Sequence, residues 1–280
     1  MIENITLITG IPRSGTTLCC NLLNQRDDAV ALHEPINPSR LAGGVSAGRA
    51  GMEIESIILQ LREDIAAGRP FENGDKAGLS IDNPVGLSTK DGKRQVVAQR
   101  GLVSIPPREN QHFRLIVKQN ALFTSLLTQL EVRFPIVAIV RNPVDVLLSW
   151  MTVDLPVNRG RVPAGERFSD FLRNTLLRTD SVFQRQLIIY TWFMQQFIEH
   201  ELSIVRYEDV VASAGTVLDE ALGFQALNRS PLNYQNRQFA PALLDELQSN
   251  LTEITKLSRF GLYSEAEIAR AMTSAIGAGE

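Results

Sequence analysis

Gly10-Ile11-Pro12-Arg13-Ser14-Gly15-Thr16-Thr17 decides how the rest of this chain is read. The stretch has the G-x-x-x-x-G frame of a loop whose backbone N–H groups cradle phosphates, but Thr16 stands where the nucleoside-triphosphate version carries its lysine. Ile5 to Thr9 is a short apolar run that predicts a strand ahead of the loop, and Thr17 to Leu23 predicts a helix behind it. That order sets a helix N-terminus and its dipole against whatever the loop holds. The amides from Arg13 to Thr17, Gly15 included, the charge of Arg13 and the hydroxyls of Ser14, Thr16 and Thr17 are therefore expected to bind an anion. The missing lysine argues against a triphosphate.

The 280 residues are 44% hydrophobic and carry a formal charge of −3. No basic excess supplies general affinity for nucleic acid or an anionic membrane, so a bound polyanion needs a local cluster of positive groups. The N-terminus lacks the basic start, apolar core and cleavage site of a secretory signal, and no apolar run approaches the roughly 20 residues of a membrane span. The only cysteines, Cys19 and Cys20, are adjacent and cannot make an ordinary structural disulfide. A reducing cytoplasm is the expected location. His33, His112 and His200 are scattered, so no metal site is expected.

Further along, Ala29 to His33 predicts a second strand, and the glycines at 43, 44, 48 and 51 predict a flexible crossing or lid. Ile54 to Ala67 has helical periodicity, and Lys90-Asp-Gly-Lys93 predicts a hairpin turn. Phe113 to Lys118 and Ile136 to Val140 read as strands around a helix over Ala121 to Val132. Near-continuous apolar runs of this kind suit a parallel sheet covered on both faces. Asn142 caps a helix with Pro143 at its first position, continuing to Met151. Helices over 168–177 and 180–199 and a strand over Leu202 to Arg206 follow. The expected architecture is one α/β domain over 1–280, a P-loop-like three-layer fold with a central, mostly parallel sheet flanked by helices. A variable insertion is expected at about 40–110.

Two later blocks add chemistry. In Val140-Arg-Asn-Pro-Val-Asp-Val-Leu-Leu-Ser149, Arg141 ends a strand and Ser149 lies about two turns into the next helix, roughly 9 Å along its axis. Both can share one phosphate. In Val205-Arg-Tyr-Glu-Asp-Val210, Tyr207 lies just beyond a strand, where it can stack on a base or wedge a helix against the sheet.

These three blocks, in this order, resemble the sulfotransferases that use 3′-phosphoadenosine 5′-phosphosulfate, among them the tyrosylprotein sulfotransferases with a glutamate base. The resemblance covers roughly residues 4–34 and 113–212. It implies that Pro12 to Thr17 hold the 5′-phosphosulfate, that Arg141 and Ser149 hold the 3′-phosphate, and that Arg206 to Asp209 lie on the nucleotide side. The co-substrate is then 3′-phosphoadenosine 5′-phosphosulfate, which has no β- or γ-phosphate for a lysine to reach. The resemblance also implies a hydroxyl acceptor, on a glycan, lipid or specialised metabolite, with the region at about 40–110 expected to shape the acceptor-binding pocket.

Sulfuryl transfer needs an aligned acceptor, stabilised charge and a base. Lys118 matches the lysine that family members place before the 3′-phosphate motif. Glu34 is the first candidate for the base: it precedes Pro35, which favours extended geometry, and sits where ligands gather at a sheet edge. His33 is the second, and strand alternation predicts that it and Glu34 point to opposite sides. No late basic glycine-rich loop is evident, and Arg237 is the one substitute. A divergent P-loop small-molecule kinase and a non-catalytic nucleotide sensor are the competing readings.

Overall fold

Ile5 to Gly10 form strand β1, buried along its whole length, and the loop after it delivers the chain into helix α1, Thr16–Leu23. The computed structural model describes residues 2–41, 43–79, 85–90, 92–107, 113–232 and 238–277. Strand β2, Ala29–His33, follows. The long helix α2, Ala47–Ala66, leads to a group of short strands: β3, Phe71–Asn73, β4, Val85–Lys90, β5, Lys93–Val96, and β6, Gly101–Val103. The main layer resumes with β7, Arg114–Lys118, two single-turn helices α3, Asn120–Thr124, and α4, Leu127–Leu130, and then β8, Ile136–Val140. Helices α5, Pro143–Met151, α6, Pro163–Glu166, α7, Asp170–Leu177, and α8, Val182–Glu199, precede strand β9, Ser203–Arg206. The chain closes with α9, Tyr207–Ala212, α10, Thr216–Ala221, α11, Pro241–Ser249, α12, Leu251–Thr255, and α13, Glu265–Gly277.

The central sheet runs β2-β7-β1-β8-β9, and every neighbouring pair is parallel. Alternate side chains go to opposite faces, as the two-residue period of a strand requires. Leu7, Val117 and Val140 enter a large core with α2, α5 and α8. Ile8, Ile116 and Ile139 enter a second core with Cys19 and Cys20 of α1. Both thiols are free and buried, and burial pushes them up, Cys20 to about 12. They fill space and stay protonated.

Strands β2 and β8 and helix α5 have the bounds expected of them. Asn142 caps α5 by accepting from the Val144 N–H at 3.0 Å. Two expectations need correction. The glycine-rich stretch is largely helix, because Gly48 and Gly51 lie inside α2, which Ser46 caps. Ile54, Ile58, Leu61 and Ile65 bury one face of that helix. At Gly51 a β-carbon would stand 2.6 Å from the Gln129 side chain, so glycine there permits close approach to α4. Residues 121–132 do not form one helix: Ser125 and Leu126 separate α3 from α4, and the Ser125 hydroxyl donates back to the Leu122 carbonyl at 2.9 Å.

Between 40 and 110, β3 pairs with β6 and β4 with β5, both antiparallel. The expected hairpin is therefore present, with Gly92 at φ 73°, while Asp91 lies outside the described residues. Asn73 ties this region to the main sheet. Fully buried, it accepts from the His33 N–H at 3.2 Å and donates to the Asp75 and Gly78 carbonyls at 3.1 and 3.0 Å. The Gly74 N–H adds a bond to the His33 carbonyl at 2.8 Å.

Asn73→Ala removes all three side-chain bonds and strands the partners of a buried amide, so stability is expected to fall by about 1–3 kcal/mol. Urea unfolding monitored by tryptophan fluorescence measures it.

Candidate active site

The parallel register places the C-terminal ends of all five strands side by side. His33 pairs with Lys118, Lys118 with Ile8, Gly10 with Ile139 and Val140 with Arg206. A cavity of about 870 Å³ opens at this edge. Such edges are where open α/β sheets bind ligands.

The loop leaving β1 is held in a conformation its glycines make possible. A β-carbon on Gly10 would come within 2.6 Å of the Ile139 carbonyl, and one on Gly15 within 2.2 Å of the Tyr207 ring. Gly15 caps α1 with φ 88°, and Arg13 is left-handed at φ 73°. Trp150 of α5 braces the loop by donating its indole N–H to the Pro12 carbonyl at 2.7 Å. The first N–H groups of α1 have no intrahelical partner, and Arg13, Gly15, Thr16 and Thr17 all line the cavity. Ser14 differs from expectation. Its hydroxyl donates to the Ile139 carbonyl at 2.8 Å and its N–H to the Ile11 carbonyl at 3.0 Å. It locks the loop to β8 because a fully buried hydroxyl must find a partner inside the protein.

Glu34 also departs from its expected geometry. It has φ 49°, so it is left-handed and lies just outside β2. Its N–H donates to the Lys118 carbonyl at 2.8 Å and its carboxylate accepts from Lys118 Nζ at 2.6 Å. This break in the strand cancels the alternation, and His33 and Glu34 both line the cavity. Lys118 is almost fully buried. Burial opposes ionisation of Glu34, but the Lys118 charge, with help from His33 and Arg100, outweighs it and holds the carboxyl at about 2. Burial, then the Lys118 charge, brings His33 down to about 3. Near neutrality this pair is a carboxylate and a neutral imidazole, whose Nδ1 lies 3.4 Å from the Thr17 hydroxyl.

On the other flank, Arg141 forms an ion pair with Asp145 at 3.4 Å, and its guanidinium lies 4.5 Å from the centre of the Tyr207 ring. Ser149 accepts from Arg13 Nε at 3.2 Å. The structure thus joins Ser149 to the first loop and Arg141 to the platform formed by Tyr207 and Gly15. Tyr207 does wedge the start of α9 against that loop, with its ring also on the cavity wall. Arg237 lies outside the described residues.

Arg13, Arg100, Lys118, Arg141 and Arg161 line the cavity, against Glu34 as its single acidic side chain among the described residues. In a chain of charge −3, this is the local cationic cluster that a polyanion requires. Sequence reasoning missed Arg100. Its guanidinium donates to the Pro35 carbonyl at 2.8 Å and so braces the turn that carries Glu34. It missed Gln119 and Asn120 as well, which continue the wall beyond Lys118. Their one signal was adjacency to Lys118. Among the described residues no group of three or more His, Cys, Asp or Glu is placed to hold a metal ion. No described helix is long and apolar enough to cross a membrane.

A family model described as the sulfotransferase domain matches residues 3–237. No curated protein matches the sequence. Among solved structures, a sulfotransferase from Alicyclobacillus acidocaldarius aligns at 13% identity over 98% of this chain and 96% of that one, with a TM-score of 0.43. A sulfotransferase domain from the curacin biosynthetic pathway aligns at 16% identity over 86% of this chain and 76% of that one, with a TM-score of 0.39.

His33 generates a test of these electrostatics. Its folded pKa of about 3 lies below the ordinary value of 6.5, so between those values the unfolded chain binds a proton that the folded chain refuses. This contribution to stability is complete above pH 6.5 and is lost as pH falls toward 3. His33→Asn is expected to flatten the slope of unfolding free energy between pH 6.5 and 5 by up to about 1.4 kcal/mol per pH unit. Urea titrations at pH 7, 6 and 5 compare the two proteins.

Proposed function

Given that the chain belongs to the sulfotransferase family, as the match over residues 3–237 shows, we propose that it moves a sulfuryl group from 3′-phosphoadenosine 5′-phosphosulfate to a hydroxyl, with Glu34 as the general base. The observation that carries this reading is the ion pair between Lys118 and Glu34 at 2.6 Å, set in the same cavity as the anion-binding loop.

The donor has negative charge at two ends, and two cationic regions suit it. Arg13, the amides and hydroxyls of Gly15 to Thr17 and the N-terminus of α1 would hold the 5′-phosphosulfate. Arg141 would meet the 3′-phosphate, with Ser149 close behind Arg13. The face of Tyr207 would support the nucleotide. Thr16 in place of a lysine suits a donor with no β- or γ-phosphate, and this disfavours the kinase reading. Ser14 would act through its bond to β8, shaping the loop rather than touching the donor.

In the transfer, the acceptor oxygen attacks sulfur and the bond from sulfur to the bridging oxygen breaks. That oxygen leaves with its electron pair on 3′-phosphoadenosine 5′-phosphate, and the acceptor proton passes to Glu34. The carboxylate is ionised before the reaction because Lys118 holds it so. An ammonium has three donors, and Lys118 spends one on Glu34, so the others can meet charge developing on the leaving oxygen. His33, held neutral by burial, would orient Thr17 and shield the base. Val85, Val96, Ala98, Leu155, Val157 and Val162 make the rest of the wall largely apolar. This supports an acceptor with an apolar body, a lipid or specialised metabolite in preference to a glycan.

Glu34→Gln is expected to slow single-turnover transfer about 10²- to 10⁴-fold with little change in donor affinity. Unchanged transfer in rapid quench would reject Glu34 as the base. Arg141→Ala is expected to weaken 3′-phosphoadenosine 5′-phosphate by about 10- to 100-fold, while adenosine 5′-phosphate changes little. Equal losses in calorimetry would reject the 3′-phosphate assignment.

A further inference from the structure

The backbone on both sides of Arg141 is held by side chains that come from distant parts of the chain. The Tyr190 hydroxyl, on α8, donates to the Arg141 carbonyl at 2.9 Å. The next N–H, that of Asn142, donates to Glu208 Oε1 at 2.9 Å, and the Tyr263 hydroxyl donates to Glu208 Oε2 at 2.7 Å. The Asn142 side chain reaches the Glu267 carbonyl at 3.3 Å. Arg206 closes the group: its guanidinium lies 4.4 Å from the centre of the Tyr263 ring and binds the Glu267 carboxylate at 2.8 Å.

Glu208 has a double position. It directly follows Tyr207 at the start of α9, so the carboxylate that grips Asn142 also fixes the turn carrying the ring beneath Arg141. Tyr263 is 4% exposed, and burial together with the Glu208 charge pushes its phenol well up. It therefore stays a proton donor to Glu208. Tyr263 and Glu267 both lie beyond residue 237, where the family match ends.

We propose that Tyr263, acting through Glu208, is a positioning residue for Arg141, so that the C-terminal segment sets how sharply the site prefers a nucleotide bearing a 3′-phosphate. This rests on the reading that Arg141 meets that phosphate. A charged ligand group is bound most strongly by donors held in place before it arrives, and such donors depend on the hydrogen bonds behind them. Without the phenol, Glu208 loses its bond at Oε2, and the peptide from Arg141 to Asn142 loses the brace on its N–H side. Arg141 then keeps its charge but not its aim.

Calorimetry with 3′-phosphoadenosine 5′-phosphate and adenosine 5′-phosphate tests this on the full chain, with Arg141→Ala as the reference. Tyr263→Phe deletes one oxygen and keeps the buried ring. It is expected to weaken the 3′-phosphorylated ligand about 3- to 10-fold, part of what a direct charged hydrogen bond contributes, and to leave adenosine 5′-phosphate within about twofold. Glu208→Gln retains one carbonyl acceptor and is expected to give a loss of the same selective kind. Equal weakening of both ligands by Tyr263→Phe, with a lowered Tm, would mark a merely structural role and overturn the inference. Undiminished affinity for both would overturn it too. If Arg141→Ala discriminates between the ligands and Tyr263→Phe does not, the inference falls and the 3′-phosphate site stands. If Arg141→Ala does not discriminate, both fall together.

Discussion

Parallel pairing on either side of β1 is the constraint on which the site depends. Parallel strands all end at the same side of a sheet, so residues far apart in sequence become neighbours when each stands at a strand's last position or just past it. Gly10, His33, Lys118, Val140 and Arg206 are the last residues of β1, β2, β7, β8 and β9. Arg13, Glu34, Arg141 and Tyr207 follow within three positions. The register couples them, and a shift of one residue in β7 would part Lys118 from His33 and turn its side chain toward the opposite face. Leu115, Ile116 and Val117 oppose such a shift because each is buried in the core on its own face.

The loop and Glu34 solve a related problem. Main-chain amides and a carboxylate must face a cavity at points where straight strands would aim side chains alternately away. Left-handed residues turn the chain in place: Arg13, Glu34 and Gly15 all have positive φ. At a non-glycine residue this conformation carries a cost, here offset by the bonds Glu34 makes to Lys118 through both backbone and side chain. Arg100 reinforces the turn through its bond to the Pro35 carbonyl. The carboxylate position is thus shared between the central sheet and the segment near residue 100.

Much of the frame was legible because it rests on local signals. An apolar run gave away β8, and Asn142 with Pro143 marked the start of α5. The order of the three motifs carried the family. What was hidden depends on long-range packing. The glycines of α2 read as a loop, and only the close approach of Gln129 supplies the reason for Gly51. Proline after Glu34 argued for an extended residue, yet the Lys118 contacts hold a left-handed one. Ser14 offered a hydroxyl to a ligand, but the carbonyl of Ile139, 125 positions away, takes it. Arg100 and Tyr263 sit in stretches without any motif, and their places follow only from folding.

The depressed pKa of Glu34 has a consequence, in the proposed reaction, for the end of each catalytic cycle. Sulfation of an alcohol by the proposed donor liberates one proton per turnover, and the base that collects it must give it up before it can serve again. As the proposed base, a carboxyl held at about 2 by Lys118 would be a weak collector and a ready discharger, and at neutral pH it would give the proton up readily. The enzyme would reset itself with no help from buffer, and Lys118, by resisting protonation of its neighbour, would act as the spring that returns the site to its starting charge.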